Sequence, residues 1–260
     1  FTLHKYKAIK PFCTAKSSST ASSLSNEELK NSLYKMCLAN TFKYGWSERT
    51  LSISSNDLGY SGVLGSNIYP NGIVDVAFHL MDNLNSDLQE YYKNNVLNDD
   101  SKSTFQYMTS ESNIKEGLRK RLFSISPYSS NWGEAVRLGS HPKNIKSTVE
   151  KHIETVDIIL NTKEKVIDHN GIERPTRTVP LLFKVSLVKT LVICELFMLT
   201  DRSNNFNQSM KLLDQLVTIN LGVLRASSLI PTNLDVLFEL VSKSLSALLP
   251  YDLSKITEIM

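Results

Sequence analysis

Apolar residues recur along this chain at three- and four-residue intervals, the period of helices packed on one face. From Ile73 the positions Val76, Ala77, Leu80, Leu84 and Leu88 keep that period until the chain turns polar over residues 94–104. Asn26 opens an earlier run with Leu29, Leu33, Met36 and Leu38, which Tyr44-Gly45-Trp46 stops. Two short helices are predicted over 47–58 and 61–68, the first closed by Gly59 and the second by Tyr69-Pro70-Asn71-Gly72. Similar punctuation predicts helices over 114–124, 132–138, 144–160, 179–200, 206–226 and 233–249, with a polar loop over 161–178 that contains Gly171 and Pro175. The pattern predicts an all-α protein.

Two of these runs stand out. Val179 to Leu199 is the most apolar, but Lys184, Lys189 and Glu195 interrupt it, and three ionisable groups are too costly in hydrocarbon for a membrane span. On a helical wheel Lys184 and Glu195 fall about 20° apart and Lys189 about 140° away, so apolar side chains surround most of the helix. Such a helix is buried by its neighbours or lines a cavity. In the last run, Leu234, Leu237, Phe238, Val241, Leu245, Leu248 and Leu249 form one stripe about 120° wide. A stripe of this kind faces the body, a partner or a membrane. Its charges, Asp235, Glu239 and Lys243, form no basic face, so any membrane affinity is expected to be hydrophobic.

Composition supports helices: 35 leucines stand against 10 glycines and 8 prolines in 260 residues, too few turn residues for a sandwich or barrel. A net charge of +3 excludes both an acidic solvating chain and a histone-like polycation. The three cysteines, Cys13, Cys37 and Cys194, lie too far apart for a disulfide framework or a thiolate metal site. Residues 1–25 contain Lys5, Lys7, Lys10 and Lys16 among serines and threonines, with no acid, and read as a mitochondrial transit-like segment outside the fold.

Catalytic chemistry is not legible. Gly59-Tyr60-Ser61-Gly62 lacks the preceding strand of a nucleophile elbow, and there is no glycine-rich phosphate loop. The histidines show no two-His metal spacing, so no metal and no cofactor are expected. Glu150, Glu154 and Asp157 share a helix face near His152 and read as a solvated acidic face. The chain is expected not to be an enzyme.

The first three helices resemble the helix-turn-helix head of TetR-type regulators, but Ser61 to Ile68, in the reading position, has no Lys or Arg and two glycines. Cations and long side chains are what a DNA reader needs, so no nucleic-acid partner is expected. Several segments together resemble the mitochondrial ubiquinone (coenzyme Q) biosynthesis accessory proteins, lipid-binding members of the TetR-like superfamily, in their yeast-type version. They are Tyr44-Gly45-Trp46-Ser47, Asn71-Gly72-Ile73-Val74, Trp132-Gly133-Glu134-Ala135, His141-Pro142-Lys143-Asn144-Ile145, and Glu195-Leu196-Phe197-Met198 leading to Asp201 and Phe206. The chain departs at the opening of the central helix, where Thr178-Val179-Pro180-Leu181 replaces an aromatic and basic cluster frequent in the family.

The resemblance implies a TetR-like fold: a degenerate helix-turn-helix region over 26–95, a lipid-binding body over 110–226 and an amphipathic membrane-binding helix over 230–250. It implies an isoprenoid quinone intermediate as ligand, the matrix side of the mitochondrial inner membrane as location, and its lipids as a contact. It further implies the pathway's di-iron hydroxylase and the ubiquinone biosynthetic complex as partners, docked through His141, Pro142, Lys143, Asn144, Ile145 and Asp157. Dimerisation through the last two helices is the expectation for TetR-type folds. Candidate cavity liners are Phe183, Leu187, Leu191, Cys194 and Met198, with Trp132 and Leu138 opposite and Leu213, Leu216 and Val217 behind; the alternative for each is plain core packing. A scaffold that stabilises the complex without specific lipid binding is the second reading.

Overall fold

The computed structural model describes residues 25–95, 105–161, 165–167, 173–175 and 179–227. The transit-like segment and the stripe from Leu234 to Leu249 lie outside the described residues, apart from Ser25. Within them the chain is helical: α1 (Asn26–Tyr44), α2 (Glu48–Asp57), α3 (Val63–Ile68), α4 (Ile73–Asn95), α5 (Phe105–Met108), α6 (Glu111–Ile125), α7 (Trp132–Gly139), α8 (Ile145–Ile159), α9 (Leu181–Met198) and α10 (Asn207–Ser227).

The helix starts are chemical. Ser25 and Glu28 form a capping box, Glu28 N donating to Ser25 Oγ at 3.3 Å and Ser25 N to Glu28 Oε2 at 2.9 Å. Ser110 Oγ accepts from Asn113 N at 3.3 Å, so α6 begins three residues before the predicted Ile114. Its first turn, Glu111-Ser112-Asn113, is polar, and hydrophobic periodicity cannot see it. α5, a single turn of four residues, is too short to show a helical period. The loop predicted over 161–178 carries a two-stranded antiparallel ribbon, β1 (Lys165–Ile167) and β2 (Glu173–Pro175), with Val166 opposite Arg174. Three-residue strands are too short to show alternation.

Two cores stack along α4. Its first half, Ile73 to Leu84, packs with Leu33, Cys37, Trp46, Leu51 and Trp132. Its last turns, Leu88 and Tyr92, join α6, α8, α9 and α10 around Phe183, Leu187, Leu191 and Leu213. α4 thus contributes to both cores. Among the described residues, burial pushes the thiols of Cys37 and Cys194 up, to about 11 and about 12, which disfavours the reactive thiolate near neutral pH.

The acidic face of α8 is not a solvated one. Glu150 is exposed, but Glu154 accepts from Asn85 Nδ2 at 3.4 Å and Asp157 pairs with Lys184 Nζ at 2.7 Å. With the Lys151–Asp82 ion pair and the Thr155 hydroxyl donating to Asn85 Oδ1 at 2.7 Å, this face locks α8 between α4 and α9. At the far end, Asp201 turns the chain into α10 by accepting from the N–H and hydroxyl groups of Ser203 and Ser209, at 2.6–2.8 Å. Despite desolvation, these bonds hold its carboxyl well below the usual carboxylate range.

Two joints between helices are built alike. After α1, Gly45 takes a φ of +69°, and Trp46 N donates to Glu134 Oε2 of α7 at 2.7 Å. Before α4, Gly72 takes a φ of +77°, and Ile73 N donates to Glu48 Oε1 of α2 at 3.0 Å. A side chain at either glycine would run into the carboxylate that makes the bond. Gly59 also has a positive φ, +81°, but open space around its Cβ position. Gly59→Ala should therefore cost about 1–2 kcal/mol of stability through backbone strain alone, and Gly45→Ala that amount plus about 1–3 kcal/mol for the displaced Glu134. Chemical denaturation of the two variants checks the difference; equal losses would mean that Glu134 is not essential to the joint.

Candidate functional site

Four helices leave a cleft between the two cores. Val74, Ala77, Phe78 and Met81 of α4 form one wall, and Trp132, Ala135, Val136 and Gly139 of α7 another. Ile145, Thr148, Val149 and His152 of α8 and Val188, Val192, Glu195 and Leu196 of α9 close it, with Ser140 in the α7–α8 turn. The cavity volume is about 40 Å³, room for a few water-sized groups. The lining is apolar except at one end.

That end is a buried charge cluster. Glu195 is 4% exposed, His152 5%, and Arg121 of α6 1%, the largest fully buried side chain among the described residues. His152 Nε2 lies 3.3 Å from Glu195 Oε2, and its Nδ1 lies 2.7 Å from the Thr148 carbonyl oxygen. Arg121 Nη1 approaches Glu195 Oε1 at 3.7 Å, beyond hydrogen-bond range. Glu195 Oε1 and all three guanidinium nitrogens of Arg121 close no hydrogen bond within the protein. Burial pushes the Glu195 carboxyl up, but His152 and Arg121 outweigh it and hold the acid below its usual range. The Trp132 indole N–H, which closes no geometric hydrogen bond, adds to that lowering. Burial in turn pulls the Arg121 guanidinium down against the pull of Glu195.

The predicted liners fall mostly elsewhere. Phe183, Leu187, Leu191, Cys194 and Met198 form the face of α9 that packs into the C-terminal core, with Leu213 and Val217 beside them and Leu216 at its edge. Leu138 packs at the rim of the N-terminal core. Of the ten, Trp132 lines the cleft, and it also meets Trp46 edge-on at 5.5 Å. The helix is apolar all round, so hydrophobicity could not choose between its faces. The signal lay in the charges: Lys184, Val188, Val192 and Glu195 share a stripe, and it turns toward α8, where Asp157 and His152 meet Lys184 and Glu195.

The predicted docking segment divides. His141, Pro142 and Lys143 are exposed. Asn144 is buried and donates from Nδ2 to the Leu138 carbonyl oxygen at 2.9 Å, and Ile145 lines the cleft. Asp157 is engaged by Lys184. In the region read from sequence as a degenerate helix-turn-helix, Gly65 is where α3 sits against Leu51 and Ser55 of α2, so that glycine serves packing. Among the described residues no cluster of His, Cys, Asp and Glu could hold a metal ion, and no helix is long and apolar enough to cross a membrane.

The charge cluster has a thermodynamic signature. Arg121→Met leaves a buried carboxylate short of its cation and should destabilise the protein by about 3–5 kcal/mol. Adding Glu195→Gln to it should recover part of that loss. Urea unfolding of the single and double variants measures the coupling, and strictly additive losses would show that the pair does not interact.

No family model matches the chain. It is similar to a probable ubiquinone biosynthesis protein coq9, mitochondrial, of Dictyostelium discoideum: 23% identical over 191 residues, covering 73% of this chain and 59% of that protein. The match thus spans under two thirds of the relative's length.

Proposed function

We propose that this chain is a non-enzymatic accessory protein of ubiquinone biosynthesis that binds an isoprenoid quinone intermediate and presents it to the di-iron hydroxylase of the pathway. The reading places it peripherally on the matrix side of the mitochondrial inner membrane, within the ubiquinone biosynthetic complex. The observation that carries it is the cleft between α4, α7, α8 and α9, apolar along its walls and polar at one end, in a chain similar to a ubiquinone biosynthesis protein. Apolar concave sites with a few convergent polar groups are those that bind lipid-like ligands. The similarity supports the pathway, and the stripe from Leu234 to Leu249 supports membrane contact. A polyisoprenoid tail exceeds a volume of about 40 Å³, so the ligand enters only as the cleft widens. That small volume favours the second reading, a scaffold of the complex without specific lipid.

Lipid mass spectrometry on the full chain, purified from its natural membrane, separates the two readings. Quinone-pathway intermediates should be enriched, and Val192→Phe, which fills the cleft, should deplete them at an unchanged melting temperature. Bulk phospholipid alone in both proteins would establish the scaffold.

For the hydroxylase, the exposed His141-Pro142-Lys143 turn is the proposed contact. Lys143→Glu should weaken complex formation about tenfold with no change in melting temperature, as rim charges do. Asp157→Lys should instead lower the melting temperature, because it sets two cations together where Lys184 is now paired. Pull-down and thermal unfolding of the two variants decide; a Lys143→Glu protein that binds normally would move the docking surface elsewhere.

A further inference from the structure

α10 runs back along α9, and Asn220 Nδ2 ties the two by donating to the Ser186 carbonyl oxygen at 3.3 Å and to Thr190 Oγ1 at 2.7 Å. Below that seam both helices face the C-terminal core through Phe183, Leu187, Leu213 and Val217. Above it they are apolar as well. On α9 Leu182, Ile193 and Phe197 lie within about 60° of one another on the helical wheel, and on α10 so do Leu212, Leu216 and Ile219. In an antiparallel pair both sets fall on the same side of the seam and make one shallow groove. Phe197 is 37% and Ile219 63% exposed, and the other four are half-buried. A contiguous apolar face of this kind is a site that something covers.

The same chain carries a matching surface. The described part of α10 ends at Ser227, and the stripe from Leu234 to Leu249 follows it, outside the described residues. Residues 228–233 span up to about 20 Å when extended, and a connection of that length suits two antiparallel helices. As the helix its period predicts, the stripe is about 24 Å long, against about 27 Å for the 18 residues of α9. Folded back along α10 with its stripe in the groove, such a helix is parallel to α9, and its right-handed turn points the flank of Asp235 and Glu239 toward α9. Lys189 stands there, half-buried beside Leu182 and Ile193, with no acidic partner among the described residues. A short tether gives the segment an effective concentration on the order of millimolar, which favours it over a second copy of the chain at micromolar concentration.

We propose that the groove between α9 and α10 is the docking site for residues 234–249 of the same chain, which occupy it away from a membrane and leave it for lipid at one. The docking stands on the groove and the stripe; the exchange rests on the membrane contact in the function proposed above. One apolar stripe cannot face protein and lipid at once, so membrane binding uncovers the groove.

The test uses the full chain with Cys13→Ser, a bimane label on Ile219→Cys and a quencher at Phe238→Trp; Cys37 and Cys194 are buried. A hairpin puts residue 238 about 6 Å along the axis from Ile219, within reach for contact quenching. Bimane emission should fall well below that of the labelled chain that keeps Phe238, and should stay unquenched when the labelled chain is mixed at micromolar concentration with an unlabelled Phe238→Trp chain. Adding neutral phosphatidylcholine vesicles should restore the emission as the protein co-sediments with them. Ile219→Gln, in an otherwise unmodified chain, gives a readout free of the label. Glutamine forms helix at least as well as isoleucine, so on an open surface the change is nearly neutral. Under a docked helix it should lower the melting temperature by about 2–4 °C. An unquenched label together with an unchanged melting temperature would overturn the docking site. Quenching as strong in the mixture would also overturn it, by giving the groove to a second copy. Co-sedimentation with quenching intact would overturn the exchange. Quenching without any co-sedimentation would remove membrane contact from the proposed function and leave the docking site standing.

Discussion

Glu195 is the point on which the arrangement of the central helices depends. It stands on the most apolar helix among the described residues, buried to 4% exposure, and a bare carboxylate there would be protonated or expelled. Arg121 of α6 and His152 of α8 make it tolerable, and in doing so they fix where those two helices lie relative to α9. Buried ion pairs of this kind rarely outperform well-packed hydrophobic residues in net stability. Their consequence here is positional: one face of α9 is committed to α8 and the cleft, and the adjacent face is free to bury Phe183, Leu187 and Leu191 in the core.

Two further carboxylates do comparable work at the surface of the N-terminal core. Glu134 and Glu48 each reach across to a main-chain N–H left over at a chain turn, and each does so beside a glycine with positive φ. Unsatisfied N–H groups at helix ends need partners, and a carboxylate is a strong one. The motifs Tyr44-Gly45-Trp46, Asn71-Gly72-Ile73 and Trp132-Gly133-Glu134 thereby acquire a physical meaning. They are the two halves of helix joints, one supplying backbone and space, the other the charge. Resemblance through these motifs speaks first to fold and only through it to ligand.

Element type was legible wherever a helix was long and one-sided. α4 shows its period plainly, and the residues the period selects, Val76, Ala77, Leu80, Leu84 and Leu88, are all buried, together with Val74, Met81, Asn85 and Tyr92, which it does not select. Local signals failed where structure depends on groups distant in sequence. The first turn of α6 is polar, and Ser110 establishes it; the ribbon of β1 and β2 is too short to alternate. The residues expected to line a cavity and the residues that line the cleft lie on different faces of α9, because a helix that is apolar all round gives hydrophobicity nothing to discriminate. His152 was noticed for the acids around it, yet its own burial comes from a carboxylate 43 positions away.

The difference between the two faces has a general physical reason. In a helix hydrophobic on every side, each apolar residue is compatible with both core and cavity, so its identity says nothing about which it serves. An ionisable residue is compatible with far fewer surroundings, because burial demands a partner of opposite charge or a ligand to complete its hydrogen bonds. Lys184 found Asp157, and Glu195 found His152 on one oxygen and Arg121, at a distance, on the other. The face on which those two residues sit had to meet other polar groups, and it is the face of α9 that borders the cleft. The charges interrupting an apolar run, set aside as evidence against a membrane span, were also the most specific pointer to the site.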